Sequence, residues 1–82
     1  MTCYTDIQTF TFDRSAPDEN ISVFTNGGSV DIEVQVSKTQ WIRPANMALP
    51  YTTDVSEMIS VAGKTIRITP INGAIYNFGD KI

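Results

Sequence analysis

The chain has 82 residues, with six basic and nine acidic side chains and a net charge of −3. A chain of this length forms one domain and buries only about 60% of its unfolded surface, so its core is thin. Ile, Val and Thr together supply 26 residues whereas Leu occurs once, and this β-branched composition argues against a helical bundle. The absence of histidine removes the commonest general base and most zinc and haem sites.

The charge pattern and the lack of targeting signals exclude several classes of partner. Nucleic-acid binding needs a basic stripe, but the candidate basic residues are few and spread along the chain: Lys38, Arg43, Lys64 and Arg67. The same balance argues against an anionic membrane surface, and no apolar run approaches the ~20 residues of a membrane span. Residues 1–6 have neither a basic region nor an apolar run, so we expect no signal peptide, and Cys3 is the single cysteine of the sequence. We therefore expect synthesis in a reducing cytosol.

The first half of the chain is predicted to form strands joined by turns. Residues Tyr4 to Phe12 are rich in Thr, Ile and Phe and indicate a first strand, and Ile21 to Phe24 indicate a second after a polar, Pro-containing turn. The segment Asn26-Gly27-Gly28 is the clearest turn signal because these residues tolerate positive φ. It predicts an antiparallel hairpin between the second and third strands.

The third strand carries the strongest pattern in the chain. Its apolar residues alternate with Asp31, Glu33, Gln35 and Ser37, and are Val30, Ile32, Val34 and Val36. This period of two predicts that all four face the core. Residues Gln40 to Arg43 form a short fourth strand, in which Trp41 is predicted to lie in the core because a small sandwich needs one large central residue.

The second half continues the β pattern after an irregular stretch from Pro44 to Asp54. Later strands are predicted at Val55 to Ala62, Thr65 to Thr69 and Ala74 to Phe78, with Asn72-Gly73 as a second hairpin signal. Six to seven short strands without helical alternation predict an all-β fold, a small antiparallel β-sandwich or open barrel. Residues 1–82 are predicted to form a single domain.

No group of residues carries the pattern of a catalytic or metal site. Asp31 and Glu33 share one strand face about 7 Å apart, a carboxylate pair of the kind glycosidases use, but outward carboxylates also keep a Val/Ile strand soluble. The oxygen ligands that cluster around one turn are Asp13, Asp18, Glu19 and Asn20, but their spacing matches no EF-hand. We predict no enzyme activity, no cofactor and no metal needed for folding.

The amphipathic aromatic residues offer one alternative function. Trp41, Tyr51 and Tyr76 are able to stack on sugars if the fold brings them to one flat surface. A small carbohydrate-binding or protein-interaction β-sandwich module is therefore the alternative to the function given next.

The order of turns and strands resembles that of a known class of proteins. An "ISVF" strand is followed by "NGGSVDIEVQVS", by "TQWIRP" and later by "AGKTIRITP". This order resembles the small β-sandwich structural proteins of tailed-phage virions, of the capsid decoration (cement) or neck/tail accessory type. The matching positions are Gly27, Gly28, Trp41, Gly63 and Arg67. The resemblance implies a virion subunit, assembled in the host cytoplasm, that binds copies of itself and a major capsid or neck/tail protein.

The irregular stretch supplies the predicted interface. Met47, Leu49, Pro50 and Tyr51 lie within an apolar run outside any strand pattern. An exposed apolar loop on a free monomer risks aggregation, so this segment is expected to be covered. Either it folds back over its own sandwich, or it packs against a neighbouring subunit or the particle surface.

Overall fold

The computed structural model describes residues 3–44 and 49–79, and these form seven strands in two antiparallel sheets. The strands are β1 (Gln8–Thr11), β2 (Glu19–Phe24), β3 (Ser29–Ser37), β4 (Gln40–Ile42), β5 (Val55–Ile59), β6 (Thr65–Ile71) and β7 (Ile75–Phe78). One sheet has the order β1-β6-β3-β4 and the other the order β5-β2-β7. The prediction of a small all-β sandwich is confirmed.

The core consists of the apolar side chains that the two sheets present to each other. The buried apolar residues are Ile21, Val23, Val30, Ile32, Tyr51, Ile59, Val61, Ile66, Ile68, Ala74, Tyr76 and Phe78. Ile32 and Ile68 are cross-strand partners with no exposed surface. Burying one such side chain contributes roughly 1.5–3 kcal/mol, so a few of these residues account for a large part of a small domain's stability.

The predicted first strand is divided between the two sheets. Only Gln8–Thr11 forms β1, which pairs with β6. Tyr4 instead pairs with Tyr76 of β7 in the other sheet, through Tyr4 N to Tyr76 O (2.7 Å) and Tyr76 N to Tyr4 O (3.1 Å). The Tyr4 ring stacks on the Tyr76 ring at 5.2 Å and meets Phe10 edge-on at 5.5 Å. The opening segment therefore links both sheets at one side of the sandwich.

The predicted hairpin between the second and third strands is wrong, although its turn is present. Asn26 and Gly27 have φ of 49° and 82°, the signature of a type I′ turn, and Gly28 N donates to Thr25 O at 2.7 Å. However, β2 pairs with β5 and β7, whereas β3 pairs with β4 and β6. Both edges of β2 and both edges of β3 are thus occupied by other strands, and the turn carries the chain from one sheet to the other.

The second Asn-Gly turn also connects the two sheets, but it leads from the four-stranded sheet back to the three-stranded sheet. Asn72 and Gly73 have φ of 57° and 85°, and their turn leads from β6 to β7, again between sheets. Because β2 pairs with β7 and β3 pairs with β6, the two turns lie side by side. Their contact is so close that a Cβ atom at Gly28 would lie 1.9 Å from the Ile71 carbonyl oxygen.

The alternation in β3 predicts the core face correctly only for part of the strand. Val30 and Ile32 are buried, and Val34 is partly buried against the core, but Val36 is 60% exposed. Pairing with β6 ends at Val34, and the register with β4 shifts between Gln35 and Ser37. The end of this strand therefore lies beyond its pairing with β6, and the described residues leave Val36 largely uncovered.

Tyr76 is the largest side chain that the fold buries fully. Its hydroxyl donates to the backbone oxygen of Asp6 at 3.3 Å. Burial raises the pKa of this phenol above its ordinary value of 10, and the charge of Asp6 and the neighbouring Tyr4 act in the same direction. The folded chain therefore holds this proton to a higher pH than the unfolded chain does.

This difference predicts a specific loss of stability in alkali. Above a pH of about 10 the unfolded chain releases the proton while the folded chain keeps it, so the free energy of unfolding falls as the pH rises. The contribution of one such group reaches about 1.4 kcal/mol per pH unit. Denaturant unfolding between pH 8 and pH 11 should show a shallower decline for Tyr76→Phe than for the unchanged chain. Equal slopes would contradict the assignment to Tyr76.

Candidate interaction surfaces

Trp41 lies on the outer face of the four-stranded sheet, so its prediction as a core residue is wrong. Its backbone pairs with Gln35, and Gln35 shares a face with Asp31 and Glu33, opposite to the buried Ile32. The register of a three-residue edge strand thus places the ring on the polar side. The centre of the core is filled instead by β-branched residues and Tyr76.

A cation–π contact organises this outer face. The guanidinium carbon of Arg67 lies 4.2 Å from the centroid of the Trp41 ring. Arg67 stands on β6, two strands away from β4, so the indole extends across β3 to reach it. The Arg67 side chain also donates to Glu33 Oε1, from Nη2 at 2.8 Å and from Nε at 3.2 Å. One aromatic ring, one guanidinium and one carboxylate are therefore held in fixed positions on an accessible sheet.

The two carboxylates of β3 are both held in ion pairs. Arg43 Nη2 lies 2.9 Å from Asp31 Oδ2, and Arg43 Nε lies 3.0 Å from Asp31 Oδ1. The hydrogen bond and the charge of Asp31 raise the pKa of Arg43. Glu33 is bound by Arg67 at 2.8 Å. Each carboxylate of this strand face is therefore engaged by an arginine side chain.

Two of the predicted oxygen ligands near the first turn, Asp13 and Asn20, form local hydrogen bonds. Asp13 Oδ1 accepts hydrogen bonds from Ser15 N at 3.0 Å and from Ser15 Oγ at 2.9 Å, as turn aspartates commonly do. Asn20 Nδ2 donates to Ser22 Oγ at 3.1 Å. Across residues 3–44 and 49–79, no three acidic, cysteine or histidine side chains come together as a metal site.

The predicted aromatic platform is not assembled. Trp41 lies on the outer face of one sheet, whereas Tyr51 and Tyr76 are only 7% and 1% exposed. These two tyrosines belong to the core, so their rings do not offer a surface for stacking on a sugar. Trp41 is the only member of the predicted trio that remains accessible.

The predicted interface loop is tied to its own sandwich at the residues that the structure describes. Tyr51 N donates to Val30 O at 2.8 Å, and Val30 N donates to Tyr51 O at 3.0 Å. The Tyr51 hydroxyl donates to the carboxylate of Glu57. Leu49 packs against the core, and Pro50 is partly buried. For these residues the structure favours the alternative in which the loop folds back; Met47 lies outside the described residues, and an interface role for the loop stays a prediction.

The backbone bonds of Tyr51 also explain a strand boundary. The sequence predicts that the sixth strand ends at Thr69, before Pro70, but β6 continues to Ile71. Pro70 pairs with Val30, whose N–H and C=O both bond to Tyr51 on the other side. Because Val30 requires no donor from its partner on β6, proline is tolerated there.

A second surface lies where the smaller sheet leaves part of the larger one uncovered. A cavity of about 180 Å³ opens between β5 and the inner face of β3 and β6. Its apolar lining includes Ile32, Val34, Ile59 and Ile66, and its polar lining includes Glu57, Ser60 and Lys64. This feature arises from the difference in strand number between the sheets.

The sequence did not predict the contact between Trp41 and Arg67 on the outer face, nor the cavity beside β5. The stack of Arg67 on Trp41 depends on β3 lying between β4 and β6, and no local pattern indicates that order. The cavity depends on which edges of the two sheets coincide. The only local signal was the alternation in Thr65 to Thr69, which places Arg67 on the face opposite Ile66 and Ile68.

Comparisons with protein-family models, with curated proteins and with solved structures give no match to this chain. Within residues 3–44 and 49–79 there is no helical segment with the length and hydropathy of a membrane span.

Proposed function

We propose that this chain is a non-catalytic structural protein of a bacteriophage virion. It acts as a capsid decoration or head–tail accessory subunit, assembled in the host cytoplasm, that binds neighbouring subunits and a major capsid or neck/tail protein. The observation that carries the proposal is the Trp41–Arg67 stack on the outer face of the four-stranded sheet. Trp41 and Arg67 are two of the positions that carry the resemblance to virion proteins. They are far apart in sequence, and they are in contact on this sheet face.

The chemistry of this face supports binding to a protein. Trp and Arg are the residues most enriched among those that dominate binding energy at protein interfaces. The charges of Asp31 and Glu33 are already matched by Arg43 and Arg67, so a partner covers the face without leaving an unpaired carboxylate. Thr9, Thr11 and Thr65 add short polar side chains to the same sheet face.

Incorporation into particles tests this proposal. Particles assembled with the unchanged chain, with Trp41→Ala or with Thr9→Ala should be purified on a density gradient, and the copies per particle counted by quantitative mass spectrometry. We expect Trp41→Ala to reduce incorporation at least about tenfold, a loss of ~1.4 kcal/mol in binding, with little change in melting temperature. Thr9→Ala removes an exposed side chain from the same face and should be incorporated normally.

The possible results separate the proposal from its alternative. Absence of the unchanged chain from purified particles would contradict a virion role. Normal incorporation of Trp41→Ala would place the docking surface elsewhere. Binding to a glycan array that disappears on Trp41→Ala would favour a carbohydrate-binding module instead.

A further inference from the structure

Within the described residues, the two sheets of the sandwich differ by one strand. The larger sheet ends at β4 and the smaller sheet ends at β5. The cavity described above lies beside β5, and its lining includes Pro44, which follows β4. Among the described residues β5 pairs only with β2, so its other edge offers unpaired backbone groups. We call this region the open edge and define it by the six residues Val34, Ile42, Pro44, Glu57, Met58 and Lys64.

The open edge carries some of the most exposed large apolar side chains in the described structure. Met58 on β5 is 61% exposed, and Ile42 on β4 is 57% exposed. Ile42 pairs with Val34, which lines the cavity together with Pro44 and Met58. Apolar surface therefore continues from the inside of the cavity to the rim of the sandwich, the arrangement expected of a surface that is covered in an assembly.

The open edge carries one acidic and one basic side chain that form no ion pair with other described residues. Glu57 accepts a hydrogen bond from the Tyr51 hydroxyl, and Lys64 Nζ donates to Ser60 O at 3.1 Å. Neither forms an ion pair within the described residues, where both ion pairs involve arginine. Both line the cavity, so one acidic and one basic group flank the same apolar surface.

We propose that the open edge binds the open edge of a second copy of this chain, related by a two-fold axis. This inference rests on the proposed function, in which the subunit binds its neighbours, and it names the surface by which two subunits meet. A two-fold contact is self-complementary, so Glu57 of each copy meets Lys64 of the other and the apolar rims cover each other.

The charge arrangement favours this contact over simple pairing of the two β5 edges. Glu57 is the central residue of β5, so an antiparallel pair centred on this strand would set two carboxylates opposite each other. Like charges directly opposite are destabilising. Docking of the open edges instead brings opposite charges together, and it increases the buried surface of a domain whose own core is small.

Reciprocal charge reversal tests the proposal on the isolated protein. Sedimentation equilibrium over a range of concentrations should show a dimer for the unchanged chain. Glu57→Lys and Lys64→Glu should each weaken the dimer at least about tenfold because each places like charges across the contact. The double variant Glu57→Lys/Lys64→Glu should restore it. A monomer for the unchanged chain, or no rescue in the double variant, would overturn the proposal.

Two lysine substitutions at exposed isoleucines distinguish loss of the contact from misfolding of the chain. Ile42→Lys should abolish the dimer, whereas Ile7→Lys should not, because Ile7 is 53% exposed but precedes β1 at the opposite edge of the larger sheet. Circular dichroism should show the same fold for both variants. Loss of the dimer in both, or in neither, would overturn the assignment to the open edge.

Solution association and particle incorporation are separate measurements. A chain that enters particles but stays monomeric in solution would refute this contact and leave the proposed function standing. A chain that dimerises as described but never enters particles would refute the virion role alone.

Discussion

Gly28→Ala is expected to prevent stable folding. The added Cβ atom would lie 1.9 Å from the Ile71 carbonyl oxygen and 2.8 Å from that of Asn72, and both are backbone atoms that cannot rotate away. Relief requires the two Asn-Gly turns to separate, which would disturb the pairing of β2 with β7 and of β3 with β6. We expect a loss of at least about 3 kcal/mol in the free energy of unfolding, a large part of the stability of so small a domain.

The preceding residue provides the control. Gly27 has φ of 82°, but a Cβ atom there would meet nothing within 4 Å. Gly27→Ala therefore carries only the backbone penalty for a left-handed conformation, about 1–2 kcal/mol. Thermal melts followed by circular dichroism should show a folded Gly27→Ala and an unfolded or strongly destabilised Gly28→Ala. Similar melting temperatures for the two variants would contradict the close approach of the turns.

We expect Ile32→Ala to lower the free energy of unfolding far more than Val36→Ala does, although both residues belong to the apolar alternation of β3. Ile32 has no exposed surface, so its truncation leaves a cavity and should cost about 2–5 kcal/mol. Val36 is 60% exposed, and its truncation should change stability by less than about 0.5 kcal/mol. Denaturant unfolding of both variants measures the two values on the same strand. A comparable loss for Val36→Ala would mean that this end of β3 is covered.

The strands were predictable because their signals are local. Alternation in β3 and β6 and the two Asn-Gly turns depend only on neighbouring residues. Both strands and both turns are present in the structure, although the alternation of β3 predicts the buried face only as far as Val34. The sheet order was not predictable, because a type I′ turn reverses the chain without specifying the partner of the strand that follows. Both turns connect the sheets, and this single fact overturns the predicted hairpin.

The candidate surfaces were less predictable than the strands for the same reason. Composition indicated that a large aromatic residue belongs in the core, but the register of β4 with Gln35 decides the face of Trp41. The apolar run near Tyr51 was recognised, but its hydrogen bonds to Val30 were not, because those residues are distant in sequence. Residue types indicated which side chains matter, and long-range pairing decided where they point.

The crossing of both turns between sheets also determines how the chain can reach its fold. Ile21 of β2 pairs with Phe78 of β7, so the central strand of the smaller sheet gains its second partner only after β7 has been synthesised, more than 50 residues later. In folds dominated by such non-local pairs, large loops must close before the strands pair, and the conformational entropy lost in closing them is not yet offset by contacts. Such folds form in milliseconds to seconds. During that interval β2 and β5 resemble an unfinished sheet with an unpaired edge, the kind of surface that joins wrongly to other copies at high concentration. The chain therefore meets its greatest risk of aggregation before folding is complete.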